Sequence, residues 1–457
     1  MNFNVQIALY GAPFIVFFFF ATLPVRPAIL ISVFGSWLFL PMATFSVAGL
    51  PDISKTSVLA GSIFLASLFF HLSSYASLRV TWLDLPMCVW LLSPLPPAIL
   101  NNFGVYQGFS NVLAAILTWG LPYLIGRVFF CDREAILELA VGLCIAAVVY
   151  VPFVVFEMRM SPQLHTWVYG YHQHSFGQSK KWDGWRPTVF MQHGLAVSIF
   201  LSTAALSAIW LWRTGAISRL MGAPIGLLAT TLFFVAVACK SSYAILLLFT
   251  GTGGLLVSKL LNTRMILALI VLFPPVYIAA RTVGDWDGQL IRDASALMGG
   301  DQARSLGVRL DSETQLWRWI QGNQVFGRGD ITKVRSESRA LGIFNKFIPD
   351  ALWIIALGKN GWVGVFGLYC SLLLPVAAYL LRYGPADLFS KRNAGATASA
   401  TVLLLHSMDN LQNAMVGPVF SMIAGGLVGV SMFADAFDED TSLTDEPLEY
   451  QEELEWS

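Results

Sequence analysis

Charged residues are scarce in this chain, and that scarcity argues against an ordinary soluble protein. Asp, Glu, Lys and Arg make up 12% of its 457 residues, while hydrophobic residues make up 56%. Soluble domains carry about 25% charged residues, so the composition predicts an all-α polytopic membrane protein. The net charge is zero and no basic tract is present, so nothing in the composition points to nucleic acid as a partner.

Cysteine is also scarce. The five cysteines lie in or beside apolar runs without paired spacing, which argues against a disulfide framework and against a cysteine-based metal site. We interpret them as small buried hydrophobic residues. The first residues lack the basic stretch and the small-residue cleavage site of a signal peptide, so we expect the first apolar run to be a retained helix.

Long apolar runs, by contrast, fill most of the sequence and predict twelve or thirteen transmembrane helices. Four prolines within 85–100 predict a kinked or broken helix there. The predicted spans lie near residues 8–24, 27–47, 56–74, 85–100, 110–129, 135–157, 187–211, 221–238, 242–258, 265–280, 350–381, 395–408 and 414–434.

Basic residues in the short connections predict the orientation, because they fall in alternate connections, which the positive-inside rule assigns to the cytoplasm. The segment 158–186, the turn 239–242 and the stretch 282–349 then face the opposite side. On thirteen spans the N-terminus also lies on that side. The basic residues concerned are Arg26, Arg79, Arg127, Arg133, Arg213, Arg219, Lys259, Arg264, Arg382, Lys391 and Arg392.

The stretch 282–349 is one large polar loop, with nine Lys or Arg and eight Asp or Glu. Loops are free to carry function while the spans satisfy the bilayer. We therefore divide the chain into an N-terminal transmembrane bundle (1–281), this loop, C-terminal transmembrane helices (350–434) and a tail (435–457). The tail has ten acids and no Lys or Arg, so we predict a disordered cytoplasmic end that could dock a partner.

Arg186 is the first candidate site residue on the outer side. It precedes the predicted span 187–211, with Pro187 in the first helical turn. A guanidinium there could bind a phosphate through two hydrogen bonds, or it could anchor the helix among lipid headgroups. His193 is predicted about two helical turns deeper, either as a functional ionisable group or as a partner of a neighbouring helix.

Lys240 is the second candidate. It is the only charged residue between Arg219 and Lys259, in a tight turn between two spans. A lone cation at the mouth of a bundle suits an anionic substrate group, and a headgroup anchor is the alternative.

The large loop supplies further basic candidates. Arg309 and Arg318 lie on 308–320, which could form an amphipathic helix, and Arg304 precedes it. The segment 326–330, Phe-Gly-Arg-Gly-Asp with Arg328 at its centre, predicts a tight turn whose glycines allow close backbone approach or a positive φ. We attach no adhesion role to its Arg-Gly-Asp tripeptide.

Asp350 opens the span that follows the loop. An N-cap role explains it fully and is the interpretation we favour. The alternative is a general base placed at the membrane surface.

The segment 165–186 is rich in aromatic residues and contains three histidines. Aromatic faces could stack on sugar rings, although an interfacial aromatic belt is the commoner cause of such a pattern. The histidines, which lack a metal-ligand pattern, are His165, His172 and His174.

Five motifs occur in order around the large loop. They are Arg-Pro-x(5)-His-Gly at 186–194, Lys-Ser-Ser at 240–242, Arg309-x(7)-Trp317-x(8)-Phe326-Gly327-x-Gly329, Asp350-x(10)-Gly361-x-x-Gly364 and Asp409-Asn410-x-x-Asn413. Their order and spacing resemble the O-antigen ligase and Wzy-type polysaccharide polymerase superfamily over roughly residues 110–430.

This resemblance implies a GT-C-like glycosyltransferase, multi-pass in the bacterial inner membrane, with a periplasmic active site. Its partners would be undecaprenyl-diphosphate-linked glycans, membrane lipids and a chain-length regulator, with no metal or cofactor. By analogy Arg186 and Lys240, with Arg304, contact the diphosphate. Arg309 is a further diphosphate candidate and would act in catalysis with Asp350. His193, Arg318 and Arg328 are secondary candidates.

The polymerase is the leading function, and two rivals remain. Ligases of the superfamily commonly place a histidine where this chain has Asp350, which favours a polymerase over a ligase. A transporter or lipid flippase is the rival from another class. We see no internal repeat, and most of the unexpected polarity lies in an outer loop, which disfavours transport.

Overall fold

We describe the protein from a computed structural model, which describes residues 2–45, 52–181, 183–296, 300–331 and 349–443. Apolar periodicity and length make this an all-α protein. The first helices are α1 (Phe3–Thr22), α2 (Val25–Phe39), α3 (Lys55–Ala76), α4 (Leu85–Leu92), α5 (Leu95–Leu100), α6 (Val105–Ala115), α7 (Leu121–Phe129), α8 (Arg133–Met160), α9 (Leu164–Tyr169) and α10 (Gly194–Thr214). They are followed by α11 (Ile225–Ala238), α12 (Ser242–Leu260), α13 (Met265–Thr282), α14 (Gln289–Ala296), α15 (Gly300–Trp319), α16 (Leu352–Arg382), α17 (Pro385–Leu388), α18 (Ala394–Asp409) and α19 (Pro418–Leu443).

Strands in the described part of the chain are short and form three antiparallel pairs. They are β1 (Thr44–Phe45) with β2 (Ile53–Ser54), β3 (Lys180–Lys181) with β4 (Gly184–Trp185), and β5 (Arg219–Leu220) with β6 (Ala223–Pro224). Two single turns of 3₁₀ helix and one π-helical turn complete the regular structure, at Trp82–Asp84, Phe176–Ser179 and Ile116–Gly120.

Within the described residues, nine helical stretches are long and apolar enough to cross a membrane, and three shorter apolar helices accompany them. Each of the thirteen predicted spans overlaps at least one helix, so the prediction of an all-α, multi-pass membrane protein is confirmed. The predicted count of twelve or thirteen spans stays a prediction, because α18 is in neither group of apolar helices. The span predicted at 85–100 is broken between α4 and α5 at Ser93 and Pro94, as its prolines indicated.

Helices α10 and α18 form the centre of the bundle. Nearly every residue of both helices is buried, and α18 begins with the small residues Ala-Gly-Ala-Thr-Ala-Ser-Ala. Small side chains let helix backbones approach closely where lipid provides no hydrophobic drive for helix association. The outer ends of these two central helices therefore have fixed positions, and both ends belong to the candidate site.

The predicted span 187–211 is wrong at its beginning. Helix α10 begins at Gly194, with His193 as its N-cap, so Pro187 opens no helix and His193 does not lie two turns inside one. The backbone at 187–193 is irregular instead, and Val189 has a φ of +50°. A β-branched residue rarely adopts this conformation, so the surrounding structure must hold it there.

The prediction of a disordered tail is wrong for its first residues, because helix α19 continues through Asp435 to Leu443. The hydrophobic part of α19 is already helical, and adding residues to an existing helix costs much less free energy than starting a new one. Residues 444–457 lie outside the described residues.

Candidate functional site

Five segments that are far apart in sequence meet at one end of the bundle. They are the loop between α8 and α10, the turn between α11 and α12, helix α15, the start of α16 and the turn after α18. This is also the end where the N-terminus lies, because the Asn2 amide donates to the Tyr169 carbonyl at 2.9 Å. The connections that carry most of the short-loop arginines lie at the other end.

Buried side chains shape the irregular segment that carries Arg186 and His193 at its two ends. The Glu157 carboxylate, fully buried at the end of α8, accepts from the backbone N–H of Thr188 at 2.8 Å and of Val189 at 2.7 Å. Lys55 Nζ donates to the Phe190 carbonyl at 3.1 Å. Because buried backbone polar groups need partners, these contacts allow a non-helical chain at this depth.

Arg186 reaches from this segment to the turn between α11 and α12. Its Nη2 donates to the Lys240 carbonyl at 2.8 Å, while its Nε is buried without a hydrogen-bond partner among the described residues. Burial, followed by the nearby charge of Arg309, lowers the pKa of Arg186 to about 10. The guanidinium thus remains charged at neutral pH but is short of acceptors.

Lys240 faces the same place from the opposite side. Its φ of +58° sharpens the turn, and its Nζ donates to the Lys181 carbonyl at 3.3 Å. A Cβ atom at Gly184 would collide with this ammonium group, so the glycine leaves room for it. The turn therefore contacts both neighbours: its Lys240 carbonyl accepts from Arg186, and its Lys240 ammonium group lies against the β3–β4 hairpin.

Gly194 likewise leaves room for the Arg186 side chain. A Cβ atom at position 194 would collide with the aliphatic part of the Arg186 side chain. The His-Gly pair of the sequence motif therefore has two distinct roles, a helix cap and a space for the guanidinium.

His193 is held as a neutral ring. Its Nδ1 accepts from the backbone N–H of Leu195 at 3.1 Å, which fixes the proton on Nε2 and makes that nitrogen a donor. Burial, with added repulsion from His174, Arg186 and Arg309, lowers the pKa of His193 to about 3. The Nε2–H of His193 is therefore left as a donor group for a ligand, and its Nδ1 is occupied by the Leu195 N–H.

The exposed ring of His174 packs against His193. The rings of His174 and His193 lie 4.6 Å apart in an edge-to-face arrangement. Farther out, Phe176 and Trp185 pack with their ring centroids 5.2 Å apart, and Phe176 is exposed. The aromatic residues of the loop between α8 and α10 therefore line one side of the site that contains Arg186 and His193.

Arg309 and Asp350 join the large loop to this cluster. Arg309 Nε donates to Asp350 Oδ2 at 3.3 Å, and the two side chains are 19% and 41% exposed. Asp350 is thus reachable from outside, whereas Arg309 is mostly covered. The Arg309 charge acts on both Arg186 and His193, and Arg186 binds the Lys240 carbonyl, so the structure brings five predicted residues to one end of the bundle: Arg186, His193, Lys240, Arg309 and Asp350.

The favoured prediction that Asp350 caps the next helix is wrong. Helix α16 has Ala351 at its N-cap position, and no side chain caps it. The Leu352 N–H donates instead to the carbonyls of Asn410 and Asn413, each at 3.0 Å. Backbone acceptors from the turn after α18 satisfy the helix start, which leaves the Asp350 carboxylate to Arg309.

The same turn holds a carboxylate that sequence reasoning did not select as a site residue. Asp409, at the end of α18, is buried and accepts from Asn413 Nδ2 at 2.6 Å through Oδ1. It lies within electrostatic range of Arg309. The Asp-Asn-x-x-Asn motif was a usable signal, because residues four apart meet on one helical face.

Helix α15 is fixed to the bundle by a buried ion pair that sequence reasoning also missed. Arg281 Nε binds Glu313 Oε2 at 2.9 Å, with both side chains at most 2% exposed. Tyr277 donates to the same carboxylate oxygen at 3.0 Å. Burial, partly offset by Arg281, raises the pKa of Glu313. The predicted amphipathic helix at 308–320 is confirmed, although it begins at residue 300.

The glycine-rich turn after α15 attaches to α16 through the main chain. The N–H groups of Arg328 and Gly329 donate to the carbonyls of Gly358 and Lys359, both at 2.9 Å, at a break in α16 centred on Gly361. Gly327, Gly329 and Gly361 have φ values of +73°, +75° and +65°, so the predicted positive φ is confirmed. Four main-chain hydrogen bonds hold this clasp (residues 324–329 and 358–363), since Trp362 and Val363 donate back.

The remaining basic candidates lie away from the cluster. Arg328 packs its guanidinium 4.7 Å from the Trp319 ring. Arg304 and Arg318 are exposed on α15, and neither has a hydrogen bond or ion pair to the cluster among the described residues. In the same part of the chain, no group of three or more His, Cys, Asp or Glu residues has the arrangement of a metal site.

Comparison with known proteins adds no relative, since no protein-family model, no curated protein and no solved structure matches this chain. The chemistry must therefore be argued from the site. Arg186 lies within electrostatic range of Arg309 and binds the Lys240 carbonyl, and Asp350 pairs with Arg309. Such an arrangement can bind an anionic group and can accept a proton next to it.

Proposed function

We propose that this chain is a glycosyltransferase of the polysaccharide polymerase type, acting on undecaprenyl-diphosphate-linked glycans at the periplasmic face of the inner membrane. The observation that carries the proposal is the convergence of Arg186, Lys240 and Arg309 at the outer end of the bundle. The order of sequence motifs that resembles the polymerase and ligase superfamily supports it. The positive-inside distribution of the short-loop arginines supports the orientation.

In this proposal the cations bind the diphosphate of the donor lipid. Like charges held close together repel one another, so the cluster is stabilised when a ligand with two or more negative charges enters. The Arg186 Nε, which has no hydrogen-bond partner among the described residues, gains a phosphate oxygen as acceptor at the same time. The Nε2–H of His193 offers one further neutral donor beside it.

The transfer itself requires a leaving group, a nucleophile and a base. The acceptor hydroxyl attacks the anomeric carbon, the new glycosidic bond forms, and the bond to the diphosphate breaks. The fixed cations stabilise the negative charge that develops on the departing diphosphate. Asp350, exposed and oriented by Arg309, takes the proton of the hydroxyl.

The test is an analysis of lipid-linked glycans in a strain that lacks this protein. Single repeat units that accumulate on the lipid, without long chains, are the expected result. Long chains accumulating on the lipid would indicate a ligase instead, and an unchanged outer-leaflet pool would indicate transport.

Variants of the two carboxylates sharpen the test. Asp350→Asn should fail to restore long chains, because the amide cannot accept the proton. Asp311→Asn is the control and should restore long chains, since Asp311 is an exposed carboxylate of α15 that pairs with Arg292 and not with Arg309. Full activity of Asp350→Asn would contradict the assignment of the base.

A further inference from the structure

A second place in the molecule combines cations with a cavity, at the end of the bundle opposite the Arg186 cluster. The cavity has a volume of about 300 Å³ and lies where α3 and α7 end and where α2 and α8 begin. Its lining includes Arg26, Arg79, Arg127, Asp132 and Phe433. None of these residues takes part in the function proposed above.

Two of the three arginines already have carboxylate partners. Arg26 binds Asp132 and Glu138, each at 2.9 Å, and Arg127 binds Asp84 at 2.8 Å. These pairs fix the two guanidinium groups in the wall of the cavity and more than neutralise them, because three carboxylates face two arginines. They provide a rigid frame, and the charge that attracts a ligand must come from elsewhere.

Arg79 provides that charge. It is exposed, its Cζ lies 5.7 Å from the centre of the Phe433 ring, and no carboxylate among the described side chains pairs with it. Its carbonyl accepts from Arg127 Nη2 at 2.6 Å, so the end of α3 is held against α7. Among the side chains that the structure describes, Arg79 is therefore the cation of this cavity that has no carboxylate partner.

Besides these charged residues and two serines, Ser74 and Ser77, the lining is mostly apolar, which distinguishes this cavity from a site for a small inorganic ion. Leu78, Val128, Phe129 and Phe433 contribute hydrophobic surface beside the guanidinium groups. A cation next to apolar side chains at the end of a transmembrane bundle matches a phospholipid, which has a phosphate joined to a glycerol and acyl chains.

We propose that this cavity binds the headgroup of one anionic glycerophospholipid, with Arg79 contacting its phosphate and Phe433 packing against its glycerol. The site faces the leaflet that the arginine-rich connections assign to the cytoplasm, where anionic lipids attract basic side chains. The inference is independent of the glycosyltransferase proposal, because it uses no residue of the outer cluster.

The experiment measures retained lipid on the full chain. The protein is placed in vesicles of phosphatidylglycerol mixed with phosphatidylcholine, extracted in mild detergent and weighed by native mass spectrometry. One phosphatidylglycerol per chain is expected for the unmodified protein. Arg79→Ala should reduce its retention about tenfold or more, because a charge-assisted contact to the phosphate is lost. Equal retention by both proteins would overturn the proposal.

A matched control and two rival occupants complete the test. Arg219→Ala removes one exposed charge from the same end of the bundle without touching the cavity, so retention should be unchanged. Removal of residues 444–457 should also leave retention unchanged. If only the shortened chain binds lipid, the acidic tail is the occupant and the proposal is wrong. If inorganic phosphate displaces the lipid completely, the site is a phosphate site and the proposal is equally wrong.

Cys131 offers a second readout, because its side chain lines the same cavity. Its labelling by a maleimide, followed by peptide mapping, should be several-fold slower in vesicles with phosphatidylglycerol than in pure phosphatidylcholine. In Arg79→Ala the two rates should be equal. If Cys131 of the unmodified protein is labelled at the same rate in both kinds of vesicle, the cavity is not occupied by phosphatidylglycerol and the proposal is contradicted.

Discussion

Arg186 and Arg281 lie at the same end of the bundle, yet their surroundings differ in kind. Arg281 donates to the Glu313 carboxylate, to Thr314 and to main-chain carbonyls, so its donors are used and its charge is balanced. Arg186 donates to one carbonyl, has a buried Nε without a hydrogen-bond partner among the described residues, and lies within electrostatic range of the Arg309 cation. A saturated arginine is part of the framework, whereas an unsaturated one is prepared for a ligand.

The largest expected effect on stability comes from breaking the buried Arg281–Glu313 pair. Arg281→Ala leaves the Glu313 carboxylate buried without its counter-charge, which should lower the free energy of unfolding by about 3–5 kcal/mol. Thermal unfolding in detergent measures this loss. Arg281→Met combined with Glu313→Leu removes both charges and should recover most of the stability. A double variant less stable than the single one would contradict this account of the pair.

Arg186→Ala should show the opposite behaviour. We expect activity to fall by about 100- to 1,000-fold, as when one stabilising donor is removed from an active site, while the melting temperature changes little. Lys240→Ala should behave similarly. Measurement of glycan polymerisation beside thermal unfolding separates the two effects. Normal polymerisation by both variants would rule out the diphosphate assignment.

Gly194→Ala tests the space that the cluster needs without removing any charge. The added methyl group should displace the Arg186 side chain and reduce polymerisation about tenfold or more, since small misplacements of a binding group are costly. Gly253→Ala is the control, because a Cβ atom there meets no other atom within 4 Å. Comparable losses in both variants would point to a general helix effect.

The smallest effect concerns protonation of His193. Its pKa of about 3 lies below that of an unfolded histidine, so the unfolded chain binds a proton between about pH 6.5 and 3 that the folded chain does not. The stability contributed by the neutral ring is complete above pH 6.5 and is lost as the pH falls through this range. His193→Asn keeps a good helix cap and should flatten the pH dependence of the melting temperature between pH 7 and 4. An unchanged pH dependence would contradict the neutral assignment.

Much of this architecture could be predicted from hydrophobicity, because helices in a membrane must satisfy their own backbone and are long apolar runs. The positive φ values of Gly327 and Gly329 were also predictable, since glycine adopts them at no steric cost. The basic residues Arg186, Lys240 and Arg309 could be selected because charges are rare in such a chain.

Other features depend on partners that are distant in sequence, and periodicity does not reveal them. Residues 187–193 read as part of a helix, but Glu157 and Lys55 hold their backbone in another conformation. Asp350 read as a cap, but carbonyls some 60 residues later occupy that place. Arg281 and Glu313 are 32 residues apart in sequence, and no local pattern predicts that the intervening chain brings them into contact.

The clasp between the glycine-rich turn and the break in α16 consists of main-chain hydrogen bonds alone. Its strength is therefore nearly independent of which side chains stand at 324, 325, 326 or 328. A systematic replacement of this stretch by alanine would find almost every position tolerant and would suggest an unimportant linker. The glycines would respond, because a Cβ atom at Gly327 or Gly361 collides with the opposing backbone and Gly329 has a φ of +75° that other residues rarely adopt. The large loop can thus change its surface over evolution while its attachment to the membrane bundle stays the same.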